Sequence, residues 1–399
     1  MSTLKVDAIR HNSATSDAIT TASDGTCTAK ITSINGGTQL SHRNIIINGA
    51  MNVAQYGTSQ SNTGGISARS VDRFFAGNPS SSAVQTFSQE TDAPAGFYNS
   101  AKATCTTALA SYGTVAQSKI EYRIEGTDLA HVQLGTSNAQ TLSVSFYVKS
   151  NKTGNTAIGL INQDNNRSFV HQYTIASANT WQRVSFKVVG DTTGTWFKNT
   201  GIGMRMRWGT FGTDYQTGTF DAWQAGQKMG TSNSPINFNS ATGDYIQITG
   251  VQVELGDTAT SFEHRSYCEE LARCQRYFYR HGDLNTTRNY ALMGNGMIGH
   301  NGSTDTGKIE IVAPVRMRQQ PTVSVIGTDS FIIHTGGGET GTSDAIGTLA
   351  SGGLWTSASS DINFWIDIGR TSGGSPSRGV ACIVYANNNG ANLGFSAEL

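Results

Sequence analysis

Two kinds of side chain in this sequence could act on a ligand, namely paired carboxylates and aromatic rings. Two carboxylates that stand roughly 5–10 Å apart in a groove can cleave a glycosidic bond. The pairs that could meet in this way are Asp214 with Asp221 and Glu254 with Asp257. In a β-rich chain such residues more often form turns or pair with arginine. We therefore predict that the chain has no catalytic residues and is not an enzyme.

Aromatic residues are the stronger signal, because a ring packs well on the apolar face of a sugar while nearby polar side chains bind the hydroxyls. Trp196 in GTWFKN and Trp223 in FDAWQAG lie among loop-forming residues, which predicts exposure, whereas Trp181 heads an apolar strand and is expected in the core. Trp355 adjoins a long glycine-rich stretch, and Tyr385 ends a distal apolar segment. The predicted ligand-binding residues are Trp355, Tyr385, Trp196 and Trp223.

Metal and cofactor chemistry has little support in the spacing of the residues. The eight histidines contain no HExxH pair, and the five cysteines contain no CxxC pair. The segment GGGETG at 336–341 is not followed by the lysine that a phosphate-binding loop requires. We predict no metal site and no cofactor from these patterns.

Composition points to an all-β protein of more than one domain. The 399 residues include 46 glycines and only 6 prolines, and 14% of the residues are charged. This mixture suits short strands joined by tight turns. With 28 basic and 28 acidic residues and no basic stripe, nucleic-acid binding is not expected. The chain also lacks an apolar run long enough to predict membrane insertion.

The region 43–263 shows the alternation of a β-sandwich. The clearest stretches are QTLSVSFYVKS (140–150) and WQRVSFKVV (181–189), in which apolar and polar residues alternate. The segment GMRMRW (203–208) alternates Met with Arg, which predicts one apolar and one basic face. Three isoleucines at 45–47 are interpreted as the opening strand.

The stretch 244–280 changes from a strand period to a helix period. Its first part alternates as a half-buried strand, with Gly250 at the position of a possible bulge. Ser266 and Glu269 then form a capping-box pattern at the start of a linker helix predicted over 264–281. The apolar face of that helix comprises Tyr267, Leu271, Cys274 and Phe278.

Three successive aromatic residues, at 277–279, follow in the same predicted helix. Only one of them could face its own domain, so the others would need a neighbouring chain. This pattern predicts an intersubunit axis at the helix. The predicted trimer-interface residues are Leu271, Tyr277 and Phe278.

The two ends of the chain differ in character. Residues 1–42 carry sparse apolar positions that one chain could not bury; three intertwined copies could bury them, and a flexible tail is the alternative. Residues 282–399 contain further candidate strands and are predicted to form a distal β domain. Within this domain the Gly-, Ser- and Thr-rich stretch 335–353 is predicted to be a long exposed loop.

The segment ITGVQVELGDTATSFEHRSYCEELARCQRYF (248–278) resembles a stretch of phage tail-fibre and related virion proteins, especially those of phages of marine bacteria. Shorter segments resemble other landmarks of these proteins: NIIINGAMN (44–52), VDRF (71–74), MSTLKVDAIR (1–10) and GFSAEL (394–399). The tryptophan usual after the opening strand of this family is replaced near Gln55 and Tyr56.

The resemblance implies a homotrimeric fibre in the virion tail, assembled in the host cytoplasm. Residues 1–42 would join the tail nozzle or adaptor proteins, with Leu4, Val6 and Ile9 as the attachment residues. Residues 43–263 would form a jelly roll like that of carbohydrate-binding modules, in which calcium is possible although no ligands can be assigned. The distal domain would recognise host polysaccharide or lipopolysaccharide. Two alternatives stay open, a tailspike-type polysaccharide depolymerase and a purely structural head or collar fibre.

Overall fold

The structure is a computed structural model that describes residues 6–10, 17–29, 43–62, 67–78, 82–282, 292–298, 306–326, 331–334, 345–354, 361–373, 381–386 and 392–399. These residues form mostly antiparallel sheets with two short α-helices, which confirms the predicted all-β class. Among them, no helix has the length and apolar character needed to cross a membrane.

A small sheet lies near the start of the chain. Its strands are β1 (Ala8–Ile9), β2 (Ile19–Thr21) and β3 (Cys27–Ala29), paired in that order. Val6 and Ile9 are 43% and 53% exposed, as expected of residues that need a partner, and Leu4 lies outside the described residues. Their role in tail attachment stays a prediction.

Two six-stranded sheets form the large central domain. The strands are β4 (Ser59–Ser61), β5 (Phe74–Gly77), β6 (Val84–Glu90), β7 (Ser100–Thr107), β8 (Gln117–Glu125), β9 (Leu142–Ser150), β10 (Gly154–Asn162), β11 (Arg167–Ile175), β12 (Gln182–Val188), β13 (Ile202–Phe211), β14 (Gln216–Thr217), β15 (Trp223–Ala225), β16 (Gly230–Thr231) and β17 (Tyr245–Leu255). One sheet has the order β12-β9-β17-β7-β6-β4, and the other β15-β11-β10-β13-β8-β5. The short strands β14 and β16 pair separately.

Strand order identifies the central domain as a jelly roll. Four strands of one sheet run β7-β17-β9-β12, and the facing four run β8-β13-β10-β11. The chain therefore crosses between the sheets in the pattern of two interlocked Greek keys, which defines this fold. The inward side chains of both sheets, including the predicted apolar rows of β9, β12 and β13, form one core.

The predicted opening strand is wrong. Residues 43–46 are irregular. Ile45 N donates to Val253 O of β17 at 2.9 Å, but the N–H groups of Ile47 and Asn48 bond to side chains. Ile47 N donates to Tyr122 Oη at 2.9 Å, and Asn48 N donates to Glu270 Oε2 at 2.5 Å. Positive φ angles at Asn48 and Met51 prevent a regular strand from continuing.

Helix α2 (Tyr267–Gln275) is shorter than the predicted 264–281. Ser266 caps it as predicted, because its side chain accepts the Glu269 N–H at 3.3 Å. The chain then leaves the helix, and strand β18 (Phe278–His281) follows. The other helix, α1 (Gly126–Leu129), and the 3₁₀ turns Ala130–Val132 and Thr213–Tyr215 are each a single turn long.

The aromatic run after α2 is buried by its own chain, contrary to the premise behind the predicted interface. Tyr277 donates its hydroxyl to Glu125 Oε2 at 2.6 Å, and Phe278 stacks on Tyr56 with ring centroids 3.6 Å apart. The prediction failed because it assumed a continuous helix, whereas a strand alternates its side chains between two faces. Leu271 is half-buried and packs against the buried cluster that contains Cys274 and Tyr277.

The distal region contains a closed barrel and a small sheet. The described strands are β19 (Leu292–Ile298), β20 (Thr306–Val312), β21 (Thr322–Ile326), β22 (Phe331–His334), β23 (Ala345–Leu354), β24 (Asn363–Gly373), β25 (Ala381–Ala386) and β26 (Asn392–Ser396). The barrel closes in the order β19-β20-β24-β23-β22-β25, and β26 lies between β18 and β21. The predicted exposed loop 335–353 is therefore wrong from residue 345 onwards, while 335–344 lies outside the described residues.

Candidate functional site

A groove of about 610 Å³ lies on the outer face of the sheet that contains β9, β12 and β17. Tyr147 on β9 and Arg183 on β12 stand opposite each other in the strand register. Both point outward, because the alternate residues of their strands are buried in the core. Two loops rise above these strands, residues 91–99 between β6 and β7 and residues 256–264 after β17.

Gly250 makes room for the aromatic floor of this groove. The register between β17 and β9 shifts at this point, which confirms the predicted bulge. Gly250 has a φ of +62°, and a Cβ placed on it would lie 2.7 Å from Phe97 Cζ and 3.0 Å from Tyr147 Cδ2. A larger residue would therefore push both rings away and strain the backbone.

Four rings form one connected cluster around Phe97. Its ring centroid lies 5.4 Å from that of Tyr147, 4.9 Å from that of Phe262 and 5.2 Å from that of His264. The rings are tilted or edge-on to each other, the arrangement that aromatic quadrupoles favour. Phe97, Tyr147 and Phe262 are half-buried, and His264 is exposed, so parts of these rings are open to a ligand.

The loop wall is held in place by buried polar groups on β17. Glu254 accepts the backbone N–H and the hydroxyl of Thr260, each at 2.8 Å. Gln252 accepts the Glu263 N–H at 2.8 Å and donates to Ser261 O at 3.3 Å. These bonds order the wall before any ligand binds, which lowers the entropy cost of binding.

Polar groups in the groove are suited to hydrogen bonding. Arg183 Nη2 donates to Thr260 O at 2.8 Å, which holds the guanidinium at the wall. The hydroxyls of Ser145, Thr260 and Ser261 and the imidazole of His264 complete the polar lining. Aromatic floor and polar wall together form the kind of lining found in small-molecule sites.

A further aromatic side chain, that of Trp181, lies on the same outer face. Trp181 is half-buried rather than in the core, and its Nε1 donates to Asp92 Oδ1 at 3.2 Å. Lys149 pairs with Asp92 at 2.6 Å and lies 5.9 Å from the Trp181 ring centroid. Burial alone would raise the pKa of Asp92, but the hydrogen bonds from Lys149 and Trp181 outweigh it and lower that pKa.

Trp196 is buried, so its predicted exposure is wrong. Only 8% of it is accessible, and its Nε1 donates to Asp191 Oδ2 at 3.3 Å. Trp223 is half-buried, meets Trp196 edge-on at 5.1 Å, and donates to Val189 O at 2.6 Å. The loop GTWFKN folds back because Arg167 fixes Asp191 in a paired ion contact, which supplies the indole with its acceptor.

The two distal candidates stay predictions. Trp355 lies outside the described residues. Tyr385 is half-buried on β25, where its register partners are Leu292 on β19 and Ile332 on β22. Of the predicted residues, the structure brings Trp196 and Trp223 into contact, while the groove brings together Phe97, Tyr147, Arg183, Phe262 and His264.

The carboxylate pairs singled out for hydrolysis have other contacts. Glu254 is only 2% exposed and holds the groove wall, and Asp257 Oδ1 accepts the Thr258 hydroxyl at 3.1 Å. Asp221 pairs with His171 at 2.6 Å, and Asp214 is exposed within the 3₁₀ turn Thr213–Tyr215. Within the described part of the chain, no three His, Cys, Asp or Glu side chains converge as a potential metal site.

No protein-family model matches the chain, and no curated protein matches it. Similar solved structures include the enzymatically active domain of bacteriophage CBA120 tailspike protein 4, at 12% identity over 53% of this chain and 21% of that chain, with a TM-score of 0.29. Another is a CBM4 structure, at 11% identity over 52% of this chain and 98% of that chain, with a TM-score of 0.28. A third is the family 11 carbohydrate-binding module of Clostridium thermocellum in complex with a mixed-linked tetrasaccharide, at 12% identity over 52% and 98%, with a TM-score of 0.24. TM-scores this low carry no argument about function.

Proposed function

We propose that this chain is a phage tail-fibre protein, a non-enzymatic virion component that binds glycans on the host-cell surface for adsorption. The observation that carries glycan binding is the groove itself, in which four aromatic rings and Arg183 line one space of about 610 Å³. Ring faces suit the apolar C–H faces of pyranoses, and the hydroxyls, guanidinium and imidazole suit sugar hydroxyls. These side chains provide van der Waals contacts, hydrogen bonds and a positive charge, and each of these can bind a sugar.

The tail-fibre assignment rests on the sequence motif at 248–278. The structure gives this motif a physical role, because it supplies the bulge at Gly250, the groove residues Phe262 and His264, and helix α2. One continuous segment thus builds the groove wall and the connection to the distal strands. The proposal places recognition in the jelly roll; a further contribution from the distal barrel is compatible with it.

Removing a groove ring should weaken glycan binding. For Tyr147→Ala and Phe262→Ala we expect an affinity at least about tenfold lower, because each change removes a ring face worth about 1.5–3 kcal/mol when buried. The measurement is binding to immobilised host-surface polysaccharides and lipopolysaccharides, followed by calorimetry on those that bind. Tyr98→Ala is the matched control, since Tyr98 neighbours Phe97 but is 73% exposed and does not line the groove.

Two outcomes would contradict the proposal. Binding by the wild type that neither groove variant weakens would remove the groove as the glycan site. Release of reducing ends from a bound polysaccharide would replace the binding role with a depolymerase. The tail-fibre role has its own test, in which labelled protein should bind host cells and block adsorption of the phage.

We also propose that the fibre is a homotrimer attached to the tail through its N-terminal segment. Helix α2 supports this idea, because Tyr267 and Leu271 line an open groove of about 550 Å³ between the helix and residues 52–58. A second chain could cover these apolar groups. Tyr277 and Phe278 no longer belong to the proposed interface, because both are buried within their own chain.

Leu271→Asp should therefore convert trimers to monomers. In the trimer, each of the three subunits would bury an unpaired carboxylate at the interface. We expect this to weaken association by at least about tenfold. Sedimentation velocity measures the oligomeric state, and circular dichroism checks that the fold is retained. The control is Val115→Asp, a change at an exposed apolar residue just before β8, which should have the same oligomeric state as the wild type. A fully trimeric Leu271→Asp protein would exclude this helix as the axis.

A further inference from the structure

Several basic side chains lie on the outer face that carries the groove, in a chain that has 28 basic and 28 acidic residues. On β7, β9 and β12 the residues that alternate with the buried core rows include Lys102, Lys149, Arg183 and Lys187. Lys149 is paired with Asp92, and Lys102 lies 4.4 Å from the Tyr245 ring centroid. Arg183 and Lys187 are exposed. Of these four cations, Arg183 and Lys187 are therefore the most open to an anion.

Arg183 carries the permanent charge among the groove residues that the structure describes. Its guanidinium has five N–H donors, and the bond to Thr260 O at 2.8 Å uses one Nη2 donor. Because the side chain is exposed, the other donors are open to a ligand. The bond to Thr260 fixes the position of the group beside the rings of Tyr147 and Phe262.

The carboxylate that supports the wall does not cancel this charge. Glu254 is buried and is held by the N–H and the hydroxyl of Thr260, and Arg43 Nε lies 3.6 Å from its Oε2. Its negative charge is thus matched by Arg43 inside the protein. The Arg183 guanidinium faces the groove with a carbonyl oxygen as its protein partner.

We infer that the groove selects anionic glycans, in which a carboxylate or sulfate group binds Arg183 while the sugar ring packs on the aromatic floor. This inference rests on the glycan-binding function proposed for the same groove. A guanidinium donates two parallel N–H···O bonds to a flat or tetrahedral oxyanion, and these charge-assisted bonds are stronger than bonds to neutral hydroxyls. Uronates and sulfated sugars share this chemistry.

The test compares matched pairs of polysaccharides that differ only in charge. Polygalacturonate is compared with its methyl ester, and sulfated galactan is compared with the same galactan after desulfation, each by calorimetry with the full-length protein. We expect at least about tenfold tighter binding to one or both anionic members, with a loss of affinity as salt rises. A preference confined to the first pair identifies a carboxylate as the ligand group, and one confined to the second pair identifies a sulfate.

Arg183→Gln tests the residue directly. In this variant the affinity for the anionic member should fall by about tenfold, while the affinity for the neutral member is retained. Arg183→Lys should recover part of the preference, because it keeps the charge without the fork. Lys187→Gln removes one charge from the same face of the same strand, outside the groove lining, and should leave the preference nearly intact.

Three results would overturn the inference. The first is equal binding of the wild type to the charged and neutral members. If Tyr147→Ala and Phe262→Ala still weaken binding in that case, the glycan-binding function stands and only the anion preference fails. An equal loss of both members in Arg183→Gln would show that Arg183 only orders the wall at Thr260. An equal effect of Lys187→Gln would show a diffuse surface field instead of a contact. If the aromatic variants bind like the wild type, the function proposed for the groove fails first.

Discussion

Replacing Glu121 with Gln should lower the free energy of unfolding by about 3–5 kcal/mol, the usual cost of breaking a buried ion pair. Glu121 is fully buried on the outer side of β8, where four cations surround it. Arg207 and Arg123 each donate to it at 2.7 Å, Lys119 pairs with it at 2.8 Å, and Arg205 lies at 3.7 Å. The variant would leave these four cations close together without their central carboxylate.

The pH dependence of Glu121 follows from the same contacts. Burial by itself raises the pKa of the carboxyl, but the charges of Arg207, Lys119 and Arg123 outweigh burial and hold that pKa well below its ordinary value of 4.5. A depressed pKa means that the stabilisation is fully present above about pH 4.5 and is lost as the pH falls through the folded value. The wild type and Glu121→Gln should therefore differ most at neutral pH and converge under strongly acidic conditions.

Chemical denaturation at pH 7 and at pH 3 measures this difference. The matched control is Glu269→Gln, because Glu269 pairs with Arg273 across one helix turn at the surface, at 3.0 Å. Such pairs contribute about 0.3–0.5 kcal/mol. A loss in Glu121→Gln no larger than that of the control would mean that water or relaxation compensates the four cations.

Much of the fold could be predicted from side-chain period, and the failures lie where contacts distant in sequence decide the structure. The alternation of apolar and polar residues in β9, β12 and β13 located the strands, because their apolar rows are buried in the core. Strand β23 escaped prediction because its sequence, AIGTLASGGL, lacks that alternation. Backbone pairing with β22 and β24 forms this strand, and sequence periodicity does not report such pairing.

The groove could be predicted only in part. Gly250 was recognised as a bulge, and the outward positions of Tyr147 and Arg183 follow from the strand period. Their encounter with Phe97 and Phe262 depends on two loops that approach from distant parts of the chain, and no local pattern contains that information. The loop position of Trp196 was a misleading guide to the binding site, because its indole N–H donates to a partner inside the protein.

Our second large expectation concerns Asp72, which should make the unfolding free energy rise as the pH falls from about 7 to 4. Asp72 is fully buried and accepts the backbone and side-chain N–H groups of Gln55, at 2.7 and 2.5 Å. Burial raises its pKa to about 7, against the hydrogen bonds from Gln55 and the charge of Arg73, while Glu398 adds to the increase. Arg73 and Glu398 themselves form an ion pair beside it.

The sign of this effect is opposite to that of Glu121. Between pH 3.8 and about 7 the folded protein holds a proton on Asp72 that the unfolded chain has released. Each pH unit in this window corresponds to about 1.4 kcal/mol, so the full contribution reaches about 4 kcal/mol. Gln55 also donates to Phe278 O at 2.7 Å, which links Asp72 to the junction between the jelly roll and β18.

Asp72→Asn should remove this part of the pH dependence, because an amide has no proton to gain in the window. Denaturation curves from pH 4 to pH 7 give the slope for wild type and variant, and the difference should approach one proton over the window. Asp257→Asn, a change at an exposed carboxylate, should keep the wild-type slope. Equal slopes for wild type and Asp72→Asn would mean that Asp72 is ionised in the folded protein, which would require the Gln55 bonds and the Arg73 charge to outweigh its burial. The two carboxylates change the unfolding free energy in opposite directions with pH. A pH slope that is lost in Asp72→Asn but kept in Glu121→Gln would therefore come from Asp72 at the junction.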